Sequence, residues 1–393
     1  MVFAFADCEL DPDRFELRRD GAVQPVEPQV FDVLVMLLGE RHRVVTKDEL
    51  LDTVWGDRFV SESTLTSRVK AARRAIGDDG TEQRLIRTVR GRGYQFVGEV
   101  TTSGTDSRPA PSRPEQRIRF CTTPDEVRLA YATSGDGPPR VKAANWLSHL
   151  DYDWESPVWR HWMTELSRRF RLVRYDERGC GLSDWEVPEF SFDAWVDDLE
   201  TVVDAAGLDS FPLLGVSQGA PVAIAFAARH PGRVSHLVLL GGFAQGRRKR
   251  AQTSDELDLV HARIDIARAA WGRPDATYRQ VFVARFLPEG TQEEWRIFDE
   301  LQHRPTSPEN AWRFLNEFAD IDVADLAPKV TAPTLVLCSR REPDNMFEQS
   351  RLLAGLIPDS RLVPLESANH LLPERDPAWR HFLAEVDTFL PTA

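Results

Sequence analysis

The pentapeptide Gly-Val-Ser-Gln-Gly at residues 215–219 constrains the fold of this chain more than any other segment. A short apolar run, residues 211–214, precedes it, and residues 220–230 have the pattern of a helix. A strand, a tight turn and a helix in this order raise a serine hydroxyl above a sheet, and the flanking glycines leave room where a Cβ would clash. We therefore interpret Ser217 as a candidate nucleophile.

Composition limits the partners of the chain. With 393 residues it is long enough for two or three domains, and its net charge of -13 requires any contact with a polyanion to come from a local basic surface. The four cysteines show no Cys-x-x-Cys spacing, so we predict no metal site, no cofactor and reduced thiols in the cytoplasm. We also predict no signal peptide and no membrane contact, because no long apolar run follows a basic N-terminus.

A polar segment separates two parts of the chain. Residues 101–116 are rich in Ser, Thr and Pro and have no apolar periodicity, so they cannot bury enough surface to offset their ordering entropy. We predict a linker over residues 101–116, one domain over residues 1–100 and a second over residues 117–390.

The first part combines short strands with helices. Residues 1–26 alternate like small antiparallel strands, and residues 85–97 have the pattern of a hairpin. Apolar spacing predicts helices over residues 28–40, 47–55 and 63–76. The third helix carries one apolar stripe, formed by Leu65, Val69, Ala72 and Ile76.

Several motifs in this part match one family of regulators. They are DELL at residues 48–51, VWG at 54–56, VS at 60–61 and IRTVRGRGY at 86–94. On these residues the segment resembles the OmpR/PhoB-type winged helix-turn-helix domain. The resemblance implies an α+β fold whose third helix enters the major groove of double-stranded DNA while the hairpin wing contacts the backbone or minor groove. That family usually carries a receiver domain before this one, and we expect no phosphorelay control in cis here.

Side chains outside the apolar stripe are the candidates for DNA contact. We predict that base edges are read by Ser63, Thr64, Ser67 and Arg68. We predict that phosphates are contacted by basic side chains of the same helix and of the wing, namely Lys70, Arg73, Arg74, Arg87, Arg90 and Arg92.

The second part alternates strand-like runs with helical patterns. The strand candidates are residues 117–122, 128–133, 140–146, 171–175, 211–214, 236–241, 334–338 and 361–365. This order predicts an α/β domain with a mainly parallel sheet and helices on both faces.

Between residues 243 and 329 the alternation stops, and we predict a helical cap over the C-terminal edge of the sheet. The basic run at residues 247–250 is interpreted as solvated surface. The aromatic residues of the cap either line an apolar pocket or pack its core: Trp271, Phe282, Phe286, Trp295, Phe298, Trp312, Phe314 and Phe318.

Four segments in this order resemble the α/β-hydrolase fold with a helical cap. They are the pentapeptide, YDERGCGLSD at residues 175–184, APTLVL at 332–337 and ANHLLPE at 368–374. The resemblance implies a triad of Ser217, His370 and an acid, because serine needs a base and the base needs a carboxylate to hold its tautomer. Register places Glu342 where the family usually has Asp, and Asp344 is the alternative.

The loop after the third strand departs from the family pattern. The family usually has His-Gly there, whereas Asn145 takes the place of the glycine in this sequence. By register we predict that the backbone N–H groups of Trp146 and Gln218 stabilise the oxyanion. Loss of one such donor lowers rates by roughly two to three decades, so a changed loop predicts a slow or inactive site.

Together these features favour a cytoplasmic transcriptional regulator that binds double-stranded DNA. Its hydrolase-like domain is expected to bind a small, largely apolar ligand and to hydrolyse an ester or lactone in it. The alternative is a catalytically inactive hydrolase fold that serves as a ligand sensor or a dimerisation module. A homodimer is compatible with both hypotheses.

Overall fold

The computed structural model describes residues 2–12, 15–55, 60, 62–103, 114–271, 273 and 277–390. The chain divides into two compact units, residues 1–111 and 112–393. Within the described residues, no helix combines the length and the apolarity needed to cross a membrane.

The first unit is built from two small antiparallel sheets and three helices of its described residues. One sheet has the order β4-β3-β2-β1-β8 and the other β5-β7-β6. The strands are β1 (Val2–Phe5), β2 (Cys8–Asp11), β3 (Glu16–Arg19), β4 (Ala22–Gln24), β5 (Val45–Thr46), β6 (Ile86–Val89), β7 (Gly93–Phe96) and β8 (Thr101–Ser103). The helices are α1 (Pro28–Gly39), α2 (Lys47–Trp55) and α3 (Glu62–Ala75). This arrangement confirms the predicted winged helix fold.

One end of the predicted linker belongs to the first unit. Residues Thr101–Ser103 form β8, which pairs antiparallel with β1. The polar composition of this stretch did not predict a strand. The strand is stabilised by backbone hydrogen bonds to the outer edge of β1, and these do not depend on apolar side chains. The structure describes residues 114 and 115 as irregular, and a strand begins at Gln116.

The apolar stripe of α3 lies in the core of the first unit. Leu65 and Ala72 are fully buried, and Val69 and Ile76 are 1% exposed. These side chains share one hydrophobic cluster with α1 and with the wing strand β7. The buried stripe therefore fixes which face of α3 points outward.

Two glycines shape the wing between β6 and β7. Gly91 has φ +71°, a left-handed conformation that suits glycine at a tight turn. A Cβ on Gly93 would lie 1.9 Å from the carbonyl oxygen of Val45 in β5. The Arg-Gly-Arg-Gly sequence thus closes the hairpin and lets it pair with β5, with Arg90 and Arg92 at the exposed tip.

The described residues of the second unit form an eight-stranded sheet of order β16-β15-β14-β13-β11-β12-β10-β9. The strands are β9 (Gln116–Thr122), β10 (Arg128–Ser134), β11 (Pro139–Lys142), β12 (Arg171–Tyr175), β13 (Phe211–Val216), β14 (Val234–Leu240), β15 (Thr334–Ser339) and β16 (Ser360–Leu365). Strand β10 pairs antiparallel with β9 and β12, and all other pairs are parallel. The predicted α/β fold is confirmed.

Helices flank this sheet and form the cap. Flanking helices are α4 (Arg160–Arg169), α5 (Phe192–Ala205), α6 (Gly219–Arg229), α12 (Met346–Leu356) and α13 (Pro377–Phe389). Between β14 and β15 lie α7 (Arg247–Arg250), α8 (Ser254–Ala270), α9 (Thr277–Phe286), α10 (Gln292–His303) and α11 (Pro308–Phe318). Helices α8 and α10 begin at complete capping boxes, which satisfy their first backbone N–H groups.

The segment at residues 175–184 is held by a buried ion-pair network. Arg178 is 1% exposed, and its Nε and Nη2 donate to the carboxylate of Asp198 at 2.8 and 2.6 Å. Its Nη1 also donates to Asp125 at 2.7 Å. The guanidinium therefore joins the loop after β12 to α5 and to the β9–β10 turn.

Replacing Arg178 by Met is expected to lower the free energy of unfolding by about 3–5 kcal/mol, because Asp198 is left buried without its partner. Urea denaturation of the full chain measures this change. The control is Arg168→Met, which removes an exposed pair with Glu165 and is expected to change stability by less than about 1 kcal/mol. Similar effects of the two variants would contradict this account of the network.

Candidate active site and DNA-binding surface

Ser217 lies at a strained turn between β13 and α6. Its φ is +55°, and its backbone N–H donates to the carbonyl of Leu240 at 2.8 Å. A Cβ on Gly215 would lie 2.7 Å from Cα of Ala220, and one on Gly219 would lie 2.5 Å from the carbonyl oxygen of Ala144. The flanking glycines are therefore required by close approach of the backbone.

His370 and Glu342 are buried next to each other. Nδ1 of His370 forms a hydrogen bond with Oε1 of Glu342, and the two side chains are 6% and 3% exposed. This contact orients the ring and favours the tautomer in which Nδ1 carries the proton. Among the described residues, Nε2 of His370 has no hydrogen-bond partner. Nε2 is thus open to accept a proton.

Space for this pair depends on Gly241, which follows β14. Gly241 has φ +57°, and a Cβ there would lie 2.9 Å from Cε1 of His370. The histidine loop is also held from two other sides. Ser339 Oγ donates to the carbonyl of Asn369 at 2.6 Å, and the N–H of His370 donates to the carbonyl of Phe286 at 2.9 Å. The end of α9 therefore supports the histidine directly.

The two candidate acids point to different partners. Glu342 contacts His370, whereas the carboxylate of Asp344 accepts hydrogen bonds from Arg247 at 3.2 Å and Arg263 at 3.4 Å. The structure therefore brings Glu342, and not Asp344, to the histidine.

The predicted oxyanion donors are linked to a buried acid. The N–H of Trp146 donates to Oε1 of Gln218 at 3.2 Å, and Nε2 of Gln218 donates to Glu177 at 2.9 Å. Burial raises the pKa of Glu177 to about 8. Asn145 turns its side chain toward Lys142. The sequence did not predict Glu177 as part of this site. Residues 175–184 matched the family as one motif, which assigned no separate role to Glu177.

A cavity opens between the sheet and the cap. The space between its walls, counted out to the solvent at its mouth, is about 1150 Å³, and these walls include Ser217 and His370. Of the cap aromatics, Phe282, Phe286 and Phe318 line it. Trp271, Phe298 and Phe314 are buried in hydrophobic clusters, and the partly buried Trp295 and Trp312 pack against such clusters.

The predicted DNA-contacting residues lie on α3 and the wing. On α3, Ser63, Ser67, Lys70 and Arg74 are exposed, and Thr64 is partly buried. On the wing, the exposed residues are Arg87, Arg90 and Arg92. Arg68 is partly buried and pairs with Glu27 at 2.5 Å.

The prediction that Arg73 contacts a DNA phosphate is wrong. It is 8% exposed, and its Nη2 donates to the carbonyl of Ile86 at 2.7 Å and to Oγ1 of Thr88 at 2.8 Å. The side chain reaches past the apolar stripe and ties α3 to β6. Because the guanidinium is buried and already donates within the domain, Arg73 is not available to contact a phosphate.

Comparisons with known proteins agree with both folds. A family model described as "Transcriptional regulatory protein, C terminal" matches residues 22–96, and one described as "alpha/beta hydrolase fold" matches residues 153–377. Fold and site together define a transcription-regulator DNA-binding domain fused to a hydrolase-fold domain. Over more than half of its length, the chain belongs to the alpha/beta hydrolase fold family.

Individual relatives cover one part or the other. The AB hydrolase superfamily protein YisY of Bacillus subtilis is 27% identical over 264 residues, which are 64% of this chain and 91% of YisY. The transcriptional regulator HilA of Salmonella typhi is 40% identical over 109 residues, which are 28% of this chain but only 19% of HilA. A hydrolase structure from Pseudomonas aeruginosa superimposes with a TM-score of 0.58 at 22% identity, covering 72% of this chain and all of that chain, a likeness of fold.

Glu177 makes stability depend on pH. Its carboxyl keeps its proton to about pH 8 in the folded protein but ionises near its ordinary value of 4.5 when unfolded. Because the folded state then holds the extra proton, its stability falls as pH rises between these values, by at most about 1.4 kcal/mol per pH unit. Glu177→Gln keeps an acceptor for Gln218 and removes the charge. We expect the variant to gain stability relative to the unaltered protein as pH rises.

Urea unfolding at about pH 5 and about pH 8 measures this difference. The exposed Glu348→Gln serves as the control and is expected to shift stability equally at both pH values. Parallel pH dependences of the unaltered protein and Glu177→Gln would show that Glu177 is not protonated in the folded state.

Proposed function

We propose that the protein is a DNA-binding transcriptional regulator whose hydrolase-fold domain binds and hydrolyses a small ester- or lactone-like ligand. The observation that carries this proposal is the joining, in one chain, of a winged helix domain to a domain in which Ser217 and the His370–Glu342 pair face one cavity. The regulator acts in the cytoplasm, where its DNA is accessible, and a homodimer would match two half-sites.

The proposed chemistry is acyl transfer to Ser217. As Oγ attacks the acyl carbon, Nε2 of His370 accepts the hydroxyl proton, and Glu342 stabilises the imidazolium through Nδ1. His370 then gives that proton to the leaving alkoxide, and the acyl group remains on Ser217. A water molecule, deprotonated by His370, then attacks the acyl carbon. The bond between this carbon and Oγ of Ser217 breaks, His370 returns the proton to Oγ, and the acid is released.

Stabilising the oxyanion requires the Trp146 N–H to change its hydrogen-bond acceptor. We propose that the N–H groups of Trp146 and Gln218 stabilise the negative oxygen of the tetrahedral intermediate. The Trp146 N–H donates to the Gln218 side chain at 3.2 Å without a ligand. It would therefore exchange this acceptor for the substrate oxygen, while Glu177 retains the Gln218 amide.

DNA recognition is proposed for the outward face of α3 and the wing tip. Lys70 and Arg74 of α3 and Arg90 of the wing are exposed and would neutralise phosphates. The exposed Ser63 and Ser67 precede Lys70 on α3. Arg68 would have to leave Glu27 to reach a base edge. Occupancy of the cavity would regulate the DNA-bound state, and hydrolysis would end the signal.

Arg90→Ala is expected to weaken binding to double-stranded DNA and to reduce the slope of log affinity against log salt by about one, since one phosphate contact is lost. Fluorescence anisotropy of the full chain on a duplex selected from a random library measures both. The matched control is Arg18→Ala, which removes a partly exposed arginine of β3 and is expected to change neither quantity. Equal losses in both variants would contradict a role for the wing.

A fluorophosphonate probe is expected to label Ser217. Ser217→Ala should abolish labelling, and Glu342→Gln should slow it by about two orders of magnitude or more, because His370 loses the group that holds its tautomer. Glu348→Gln is the control and should label at the original rate. If the unaltered protein does not react, the hydrolytic part of the proposal is wrong, and ligand binding without turnover remains.

A further inference from the structure

One wall of the cavity is strongly basic. Of the described residues, Arg247 and Arg250 of α7, Arg263 of α8 and Arg285 of α9 line it together. We call these four residues the arginine cluster. They share the cavity with Ser217 and His370, which places positive charge and the candidate nucleophile around the same enclosed space.

Asp344 is the common partner of this cluster. Its carboxylate accepts from Arg247 at 3.2 Å and from Arg263 at 3.4 Å, and it pairs with Arg285. Its backbone carbonyl accepts from Arg250 at 3.1 Å. Glu342 also lines the cavity, but its carboxylate contacts His370. The cluster thus has more positive charge than the carboxylates around it neutralise.

The excess charge is unfavourable in an enclosed site. Burial, and after it the neighbouring arginines, lower the pKa of Arg285, and burial likewise lowers the pKa of Arg247 and Arg250 to about 10. Among the described residues, Nε of Arg247 and Nε of Arg250 are buried without a hydrogen-bond acceptor. Buried donors are normally satisfied, so these two atoms add to the unbalanced polarity of this wall.

Apolar side chains also line the cavity. Phe282 and Phe286 of α9, Ile264 of α8 and Phe318 of α11 line the cavity beside the arginine cluster. A ligand that matches this surface has an apolar body and one anionic end. Residues 247–250 were expected to be solvated surface, but Arg247 and Arg250 lie in the cavity wall.

We propose that the ligand of the cavity carries a carboxylate or phosphate group that binds to the arginine cluster, with its ester or lactone carbonyl directed to Ser217. A guanidinium fork matches either oxyanion in a bidentate manner, which gives the ligand one orientation. The proposal rests on the proposed function in placing a ligand in this cavity. It does not require turnover.

The test uses the full chain with Ser217→Ala, so that esters are bound and not consumed. Isothermal titration calorimetry compares the monomethyl esters of glutaric, adipic, suberic and sebacic acid with the matching neutral dimethyl esters. At least one acid is expected to bind about tenfold or more tightly than its diester. A monoalkyl phosphate of similar length, used in the same titration, decides between the carboxylate and the phosphate.

The second part of the test removes one charge from the arginine cluster. Arg263→Gln or Arg250→Gln, introduced into the Ser217→Ala chain, should weaken the affinity for the preferred anion about tenfold. The affinity for the neutral diester should change by less than about twofold. Arg248→Gln is the matched control. Arg248 lies on α7 like Arg250, but it pairs with Asp320 and Asn316 and does not line the cavity. This variant should alter neither affinity. Circular dichroism confirms that each variant is folded.

The outcomes separate this proposal from the proposed function. If no anion binds, or if the neutral esters bind as tightly and the glutamine variants change nothing, the arginine cluster is not an anion site, whatever Ser217 does with a fluorophosphonate. If the anions bind through the cluster but Ser217 never reacts with the probe, the anion site stands and hydrolysis fails.

Discussion

The left-handed backbone of Ser217 sets the positions of the groups around the cavity. At φ +55° the chain turns from β13 into α6 while Gly215 and Gly219 allow contact distances that no Cβ would permit. The next three strands in the sheet precede the remaining parts of the site: Gly241 follows β14, Glu342 follows β15 and His370 follows β16. Because parallel strands bring their C-terminal ends to one edge, segments far apart in sequence meet above the same turn.

Two groups of basic side chains stand out on a chain whose net charge is -13. On α3 and the wing, Lys70 and Arg90 are exposed, and a surface of this kind is open to a polyanion of any length. In the cavity, Arg247 and Arg285 are enclosed by the cap and share Asp344. The difference in enclosure limits the second site to molecules that fit the cavity. We therefore expect the two basic surfaces to bind different partners, double-stranded DNA at the first and the proposed small anion at the second.

Local patterns predicted the strands, the serine turn and the histidine loop, because each depends on neighbouring residues. Register also predicted Glu342, which lies a few residues after β15, as the acid that pairs with His370, with Asp344 as the alternative. The structure instead places Asp344 among the arginines. Arg73 was placed on the DNA surface because helix periodicity cannot tell a side chain that points outward from one that bends toward β6. Thr101–Ser103 was assigned to the linker because its pairing with β1 lies far away in sequence.

The sequence by itself determined the winged helix and the α/β fold, and it predicted Ser217 and His370 as the candidate catalytic residues. Glycine positions, apolar periods and motif order express backbone requirements that act within a few residues. Only the tertiary structure decided which acid meets His370, that the Trp146 N–H is held by Gln218, and that arginines from three cap helices surround one carboxylate. These features depend on distances between side chains from separate elements, and such distances exist only after the elements have packed.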